Sequence, residues 1–174
     1  MAHPRRLIEA RAQKLLANLG FREIPVPVDR IARSLGARLR YSPLDEELSG
    51  FVFIKDGVPI IGVNSLHHPN RQRFTIAHEI GHLQLHREFI STTVHVDKQF
   101  AESVLKRDIS SGSGTERLEV EANQFAAALL MPGSILDELL ERSPIDIEDG
   151  SAMEIWAKDF VVSRAALQYR IRNL

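Results

Sequence analysis

The chain has 174 residues, a formal charge of −1, 44% apolar residues and no cysteine. That length suits one domain with a core of useful size. The missing cysteines exclude disulfides, thiolate metal sites, iron–sulfur clusters and a cysteine nucleophile. No apolar run approaches the ~20 residues of a membrane-spanning helix. Leu7-Ile8 is followed at once by Glu9 and Arg11, so no signal-peptide core is expected and a cytoplasmic protein is the default.

Charge is unevenly spread. Residues 1–40 carry nine Lys/Arg against three acids, and residues 116–150 carry nine acids against two arginines. Either separate solvated helix faces differ, or a basic face serves a nucleic acid or an acidic partner. No run is dense enough to decide.

In chain order, Pro4 sits where a first-turn proline belongs, and residues 5–19 read as an amphipathic helix. Leu7, Ala10/Arg11, Leu15 and Leu19 mark its apolar spacing, and Gly20 ends it. Ile24-Pro25-Val26-Pro27 is extended, since proline restricts its predecessor. Asp29 caps a short helix through Leu35, and Ala37–Tyr41 reads as a strand. Leu48–Ile54 and Val58–Val63 are β-rich, and Asp56-Gly57 between them predicts a hairpin. From about Gln72 to Arg87 the period is helical. Residues 88–115 are mixed, with Ser110-Ser111-Gly112-Ser113-Gly114 expected as a loop. A strong helix is predicted from about Glu116 to Leu130, then helix again over Ser134–Arg142, a loop over 143–150, and two short closing helices.

The chemistry concentrates in Arg73-Phe-Thr-Ile-Ala-His78-Glu79-Ile-Gly-His82-Leu-Gln-Leu-His86. His78 and His82 are four apart, so a helix projects both imidazoles from one face. Two such nitrogens can reach one metal about 2 Å away, with Glu79 beside them to activate a water. Phe74, Ala77, Gly81 and Leu85 share the histidine face, while Ile76, Ile80 and Leu83 lie on another. A helix apolar nearly all round is a buried one, and a metal gives two buried histidines their reason. The alternative is a pair of core histidines bonded to backbone.

A catalytic zinc asks for a third protein ligand. The metzincin pattern needs a histidine and a glycine where this chain has Glu88 and Leu85, which excludes that class. A carboxylate from the 116–130 helix is the other source. Leu118, Ala122, Phe125 and Leu129 mark its buried stripe, and Glu119 and Glu121 flank that stripe on opposite sides. Glu119 is favoured, because Asn123 follows one turn later on the same side and can bond the outer nitrogen of a ligand histidine. Glu121 is the alternative. Two imidazoles and a carboxylate suit zinc, although manganese or iron also fits such a set.

The pairing of Phe74-Thr-Ile-Ala-His78-Glu79-Ile-Gly-His82-Leu…His86 with Glu119-x-Glu121-Ala-Asn123-x-Phe-Ala-x-x-Leu-Leu-Met-Pro132 resembles the ImmA/IrrE family of zinc metallopeptidases. The likeness covers roughly residues 5–142, and the chain's end, from Phe160 to Arg170, is similar too. It implies an α+β fold: a thermolysin-like (gluzincin) minimal core with a small β-sheet or hairpin and an active-site helix. A metallopeptidase domain over 1–142, with 88–115 as a variable insertion, would be followed by helix-turn-helix-like helices over 143–174 packed on it. It further implies bacterial enzymes that cut a DNA-binding repressor, derepressing stress or mobile-element genes. Carried over residue by residue, His78, His82 and Glu119 bind Zn²⁺ and Glu79 is the general base. Segment 88–115 has little that matches, so any transition-state donor there is unassigned. His68, His95 and Tyr41 are the candidates.

Weaker signals complete the reading. His86 is expected as a partly exposed helix-end histidine near the negative dipole end, with a supporting role to His82 as the alternative. His67 and His68 are expected to be solvated loop residues unless one reaches the cleft. The C-terminal stretch, with Ser163 as N-cap and Arg164, Gln168, Arg170 and Arg172 on the last helix, has the outline of a helix-turn-helix. Packing of Trp156, Phe160, Leu167 and Ile171 onto the core is favoured over DNA contact, and docking of a repressor is open. The leading function is thus a zinc endopeptidase acting on a regulatory protein. The second is a non-catalytic metal-stabilised regulator that binds a protein partner or DNA.

Overall fold

A computed structural model of the chain describes residues 4–92, 95–98, 109–143 and 150–174, with side chains described outside 91–113. Helix α1 (Arg5–Leu19) starts after Pro4 and ends at Gly20, whose φ of 73° is left-handed. Its buried stripe is Ile8, Ala12, Leu15 and Leu16, one position off the expected one, and Leu7 is 55% exposed. Periodicity alone does not separate adjacent apolar residues; packing against the later helix α5 selects Ile8. Helix α2 (Val28–Ser34) begins one residue before Asp29, which sits inside the first turn instead of capping it. There it bonds Arg33 at 3.1 Å.

Asp56 and Gly57 take φ of 52° and 77°. Two successive positive φ values make the tight turn whose twist matches a hairpin. It joins β2 (Leu48–Lys55) to β3 (Val58–Asn64), which pair antiparallel with Phe53 opposite Ile60. Strand β1 (Arg38–Ser42) runs parallel to β3, and β4 (His95–Lys98) adds to β2, giving the order β1-β3-β2-β4. Val52, Ile61 and Val63 are at most 1% exposed, on the sheet face covered by helix.

Helix α3 (Pro69–Leu85) begins earlier than its period suggested, with proline in the first turn and His68 as N-cap. Its residues Thr75 to Leu83 are all buried, as an all-round apolar sequence requires. It crosses β2 at Gly50. A Cβ there would lie 2.4 Å from Thr75 Cγ2, 2.5 Å from the Gly62 carbonyl oxygen and 3.6 Å from Glu79 Oε1. Only glycine lets strand and helix approach so closely.

A short α4 (Arg87–Thr92) follows, and then α5 (Ile109–Leu130). The Ser/Gly run 110–114 was expected as a loop, yet it is helical. Once the strong 116–130 segment is nucleated, adding turns in front of it is cheap even for weak helix formers. Helix α5 packs between α3 and α1. It comes close to α3 at Gly81, where an added Cβ would stand 3.1 Å from the Ala122 carbonyl oxygen.

Helix α6 (Gly133–Arg142) follows Pro132. Then α7 (Gly150–Phe160) and α8 (Arg164–Arg172) close the chain, the Ser163 hydroxyl accepting from Ala166 N at 3.1 Å as the cap of α8. Trp156, Phe160, Leu167 and Ile171 are buried in the common core. Arg170 is 4% exposed. It donates to the Met131 carbonyl at 3.0 Å and pairs with Glu9 at 2.5 Å. One of the four polar residues expected on a DNA-reading face is therefore turned inward. The fold is α+β, and among the described residues no helix is long and apolar enough to cross a membrane.

Candidate metal centre

His78 and His82 leave the same face of α3, and Glu119 reaches them from α5. His78 Nε2 is 3.0 Å from His82 Nε2 and 3.2 Å from Glu119 Oε2; His82 Nε2 is 3.5 Å from Glu119 Oε1. Three ligands held at about 2.0–2.1 Å from a tetrahedral zinc stand roughly 3.3 Å from one another, so the donor spacing fits such an ion. Both histidines are buried and the Glu119 side chain is 30% exposed. The group therefore has a dry floor and one side open to solvent.

The outer nitrogens are bonded as well. His78 Nδ1 lies 2.9 Å from Asn123 Oδ1. An amide oxygen only accepts, so Nδ1 is the donor, and a neutral imidazole bonded this way has its lone pair at Nε2, facing inward. His82 Nδ1 lies 3.1 Å from His86 Nδ1. Glu121, the alternative third ligand, faces elsewhere: its Oε2 is 3.0 Å from His86 Nε2 and its Oε1 is 3.6 Å from Arg117 Nε. Glu119 and Glu121 diverge because two residues on a helix turn through about 200°. Glu79 is fully buried, with its carboxylate toward β2 near Gly50.

His86 corrects an expectation. It is 6% exposed, not a partly exposed helix end, because α5 covers the end of α3 and brings Glu121 against it. Its sequence signal was the eight-residue interval from His78, which places a third imidazole on the same face.

A cleft of about 830 Å³ opens over this group. Its walls come from Ser49 of β2, the first turns of α3, the Glu119–Met131 side of α5, and Val162 to Ala166 at the start of α8. His68 lines it, with Nδ1 accepting from Asn70 N at 3.2 Å. Arg71, not singled out in the sequence, also lines it and donates to Ser49 Oγ at 2.9 Å. Tyr41 is not among the lining residues; it stands on β1, two places along the sheet from β2. Burial and then the charge of Asp29 raise its phenol pKa, with Arg33 opposing, so its surroundings are those of α2. His67 Nε2 is held by the Glu46 carbonyl and Asn64. The backbone of His95 lies on β4 opposite Val52, and its side chain is outside the described residues.

The family model for the IrrE N-terminal-like domain, a peptidase family, matches residues 32–172. The radiation response metalloprotease IrrE of Deinococcus radiodurans is 36% identical over 116 residues, covering 64% of this chain and 30% of that protein. The protein of the same name from Deinococcus deserti is 39% identical over 85 residues, covering 48% of this chain and 26% of that protein. The chain thus spans less than a third of the curated relatives it matches. A solved structure described as a Mycobacterium tuberculosis transcriptional regulator superposes with a TM-score of 0.63 at 18% identity, over 92% of this chain and 44% of that one. At that identity the likeness is one of fold.

Proposed function

The chain belongs to the IrrE N-terminal-like peptidase family, and from that premise we propose that it is a zinc endopeptidase. Its substrate is a bacterial regulatory protein, a helix-turn-helix repressor whose cleavage releases stress or mobile-element genes, and it acts in the cytoplasm. The observation that carries this reading is the convergence of His78, His82 and Glu119 at metal-ligand spacing beneath an open cleft.

His78, His82 and Glu119 hold the ion. When bound, it supplies Lewis acidity that acidifies a water and draws charge from the scissile carbonyl. Glu79, which the ligand set does not need, accepts a proton from the attacking water at its carboxylate. The water oxygen bonds to the carbonyl carbon. Glu79 then returns the proton to the departing amide nitrogen as the carbon–nitrogen bond breaks. Asn123 keeps His78 in the ligating tautomer. His68 and Arg71 are placed on the cleft wall, where a cationic or N–H donor meets negative charge growing on the carbonyl oxygen. Segment 162–166 forms the opposite wall, so the C-terminal helices shape the substrate channel instead of reading DNA.

The test is incubation of the zinc-loaded chain with the repressor encoded beside it. A single cut, lost in Glu79→Gln while zinc stays bound, supports the proposal. Binding of the repressor or of DNA with no cut by the wild type supports the non-catalytic regulator instead.

A further inference from the structure

Three histidines follow one another at intervals of four, His78 and His82 on one face of α3 and His86 as the residue that caps its end, yet only the first two face Glu119. The third continues inward. His86 Nε2 is 3.0 Å from Glu121 Oε2, and His86 Nδ1 is 3.1 Å from His82 Nδ1. His82, His86 and Glu121 are 0%, 6% and 4% exposed.

The direction of these bonds follows from what each atom can do. An ionised carboxylate only accepts, so His86 Nε2 carries a proton and donates it to Glu121. A neutral His86 then has its lone pair at Nδ1. The facing nitrogen of His82 must be the donor, which puts the His82 proton on Nδ1. A neutral His82 so arranged has its lone pair at Nε2, the atom that faces His78 and Glu119. Arg117 Nε stands 3.6 Å from Glu121 Oε1, the other oxygen of that carboxylate.

We infer that Glu121 and His86 are positioning residues: a buried carboxylate sets the tautomer of the His82 imidazole through a second imidazole, and so presents His82 Nε2 to the metal. The inference rests on the metal-site reading above. It also makes the two ligand histidines unequal. His78 leans on the neutral amide of Asn123, while His82 leans on a relay that ends in a charge and raises its basicity as a ligand.

The metal-free, ¹⁵N-labelled chain tests the relay without reference to catalysis. Long-range ¹H–¹⁵N correlations of the imidazoles are expected to show His82 protonated at Nδ1. In His86→Leu, His82 is expected to populate both tautomers. Zinc affinity, measured by competition with a chromophoric chelator, is expected to fall about 10–100-fold in His86→Leu and in Glu121→Gln, the range for losing such a partner. Glu121→Gln keeps the side-chain shape and decides the matter if His86→Leu does not fold. A His82 proton on Nε2 in the metal-free wild type overturns the inference, as does zinc affinity within twofold of wild type in the folded variants. If the wild type itself binds no zinc, the proposed function fails, and the tautomer still reports on the relay.

Discussion

Gly81 sets the distance between the two helices that build the site, and Gly81→Ala tests that role. Two terms oppose each other. Alanine in a helix interior is better than glycine by roughly 0.5–1 kcal/mol. Against this, its Cβ would stand 3.1 Å from the Ala122 carbonyl oxygen, 3.2 Å from Ala122 Cα and 3.3 Å from Phe125 Cβ. All three are tighter than ordinary contact, and two are backbone atoms that cannot rotate away. Overpacking of this kind costs about 1–3 kcal/mol, so the net is a loss of about 1 kcal/mol. For a chain of this size that lowers Tm by roughly 2–4 °C. The site suffers more than the fold, because Glu119 lies three residues, ~4.5 Å along the axis, from the point where α5 is pushed away. A tenfold loss of zinc affinity removes about 1.4 kcal/mol of zinc-dependent stabilisation. Thermal unfolding with chelator and with zinc separates the two effects. Gly114→Ala, on α5 with nothing within 4 Å of its Cβ, is the control and is expected to stabilise slightly. A Gly81→Ala protein more stable than wild type, with an unchanged zinc increment, refutes the reasoning.

Glu119→Ala is expected to weaken zinc binding at least tenfold while the chelated protein keeps its Tm within a few degrees, read by metal competition and calorimetry. Gly50→Ala places a Cβ 2.5 Å from a backbone oxygen of β3 and is expected to destabilise by about 3 kcal/mol or more; adding Thr75→Ser should not rescue it, because the carbonyl clash remains. Ser163→Ala removes the cap of α8 and should cost about 1 kcal/mol, seen as a lower urea midpoint with an unchanged m-value.

Much of the candidate site's geometry was legible because helix geometry is local. The interval from His78 to His82 fixes a shared face whatever the rest of the chain does, and the interval from Glu119 to Asn123 does the same on the partner helix. The hairpin was equally legible from Asp56-Gly57, since few residue pairs tolerate two positive φ values. What could not be read depended on how helices meet. Whether Ile8 or Leu7 is buried is decided by α5, and both choices satisfy the period. His86 read as a partly exposed helix end because nothing in its own neighbourhood announces Glu121, 35 residues away. The run from Ser110 to Gly114 has the composition of a loop, and its helical state reflects the segment behind it. Arg170 had the look of a DNA-facing residue until its partners, Met131 and Glu9, were in view.

The contact of Gly81 with Ala122 also bears on which ion can enter. Main chain lies close to main chain there, so the spacing of the two helices that carry the imidazoles and the carboxylate is set by backbone and not by side-chain rotamers. Calcium takes six to eight oxygens at about 2.3–2.6 Å, and magnesium prefers to keep its waters. A narrow jaw offering two nitrogens and one carboxylate is poorly suited to either. In the proposed zinc site, discrimination against these abundant cations would then draw on a pair of small residues that lie outside the ligand set.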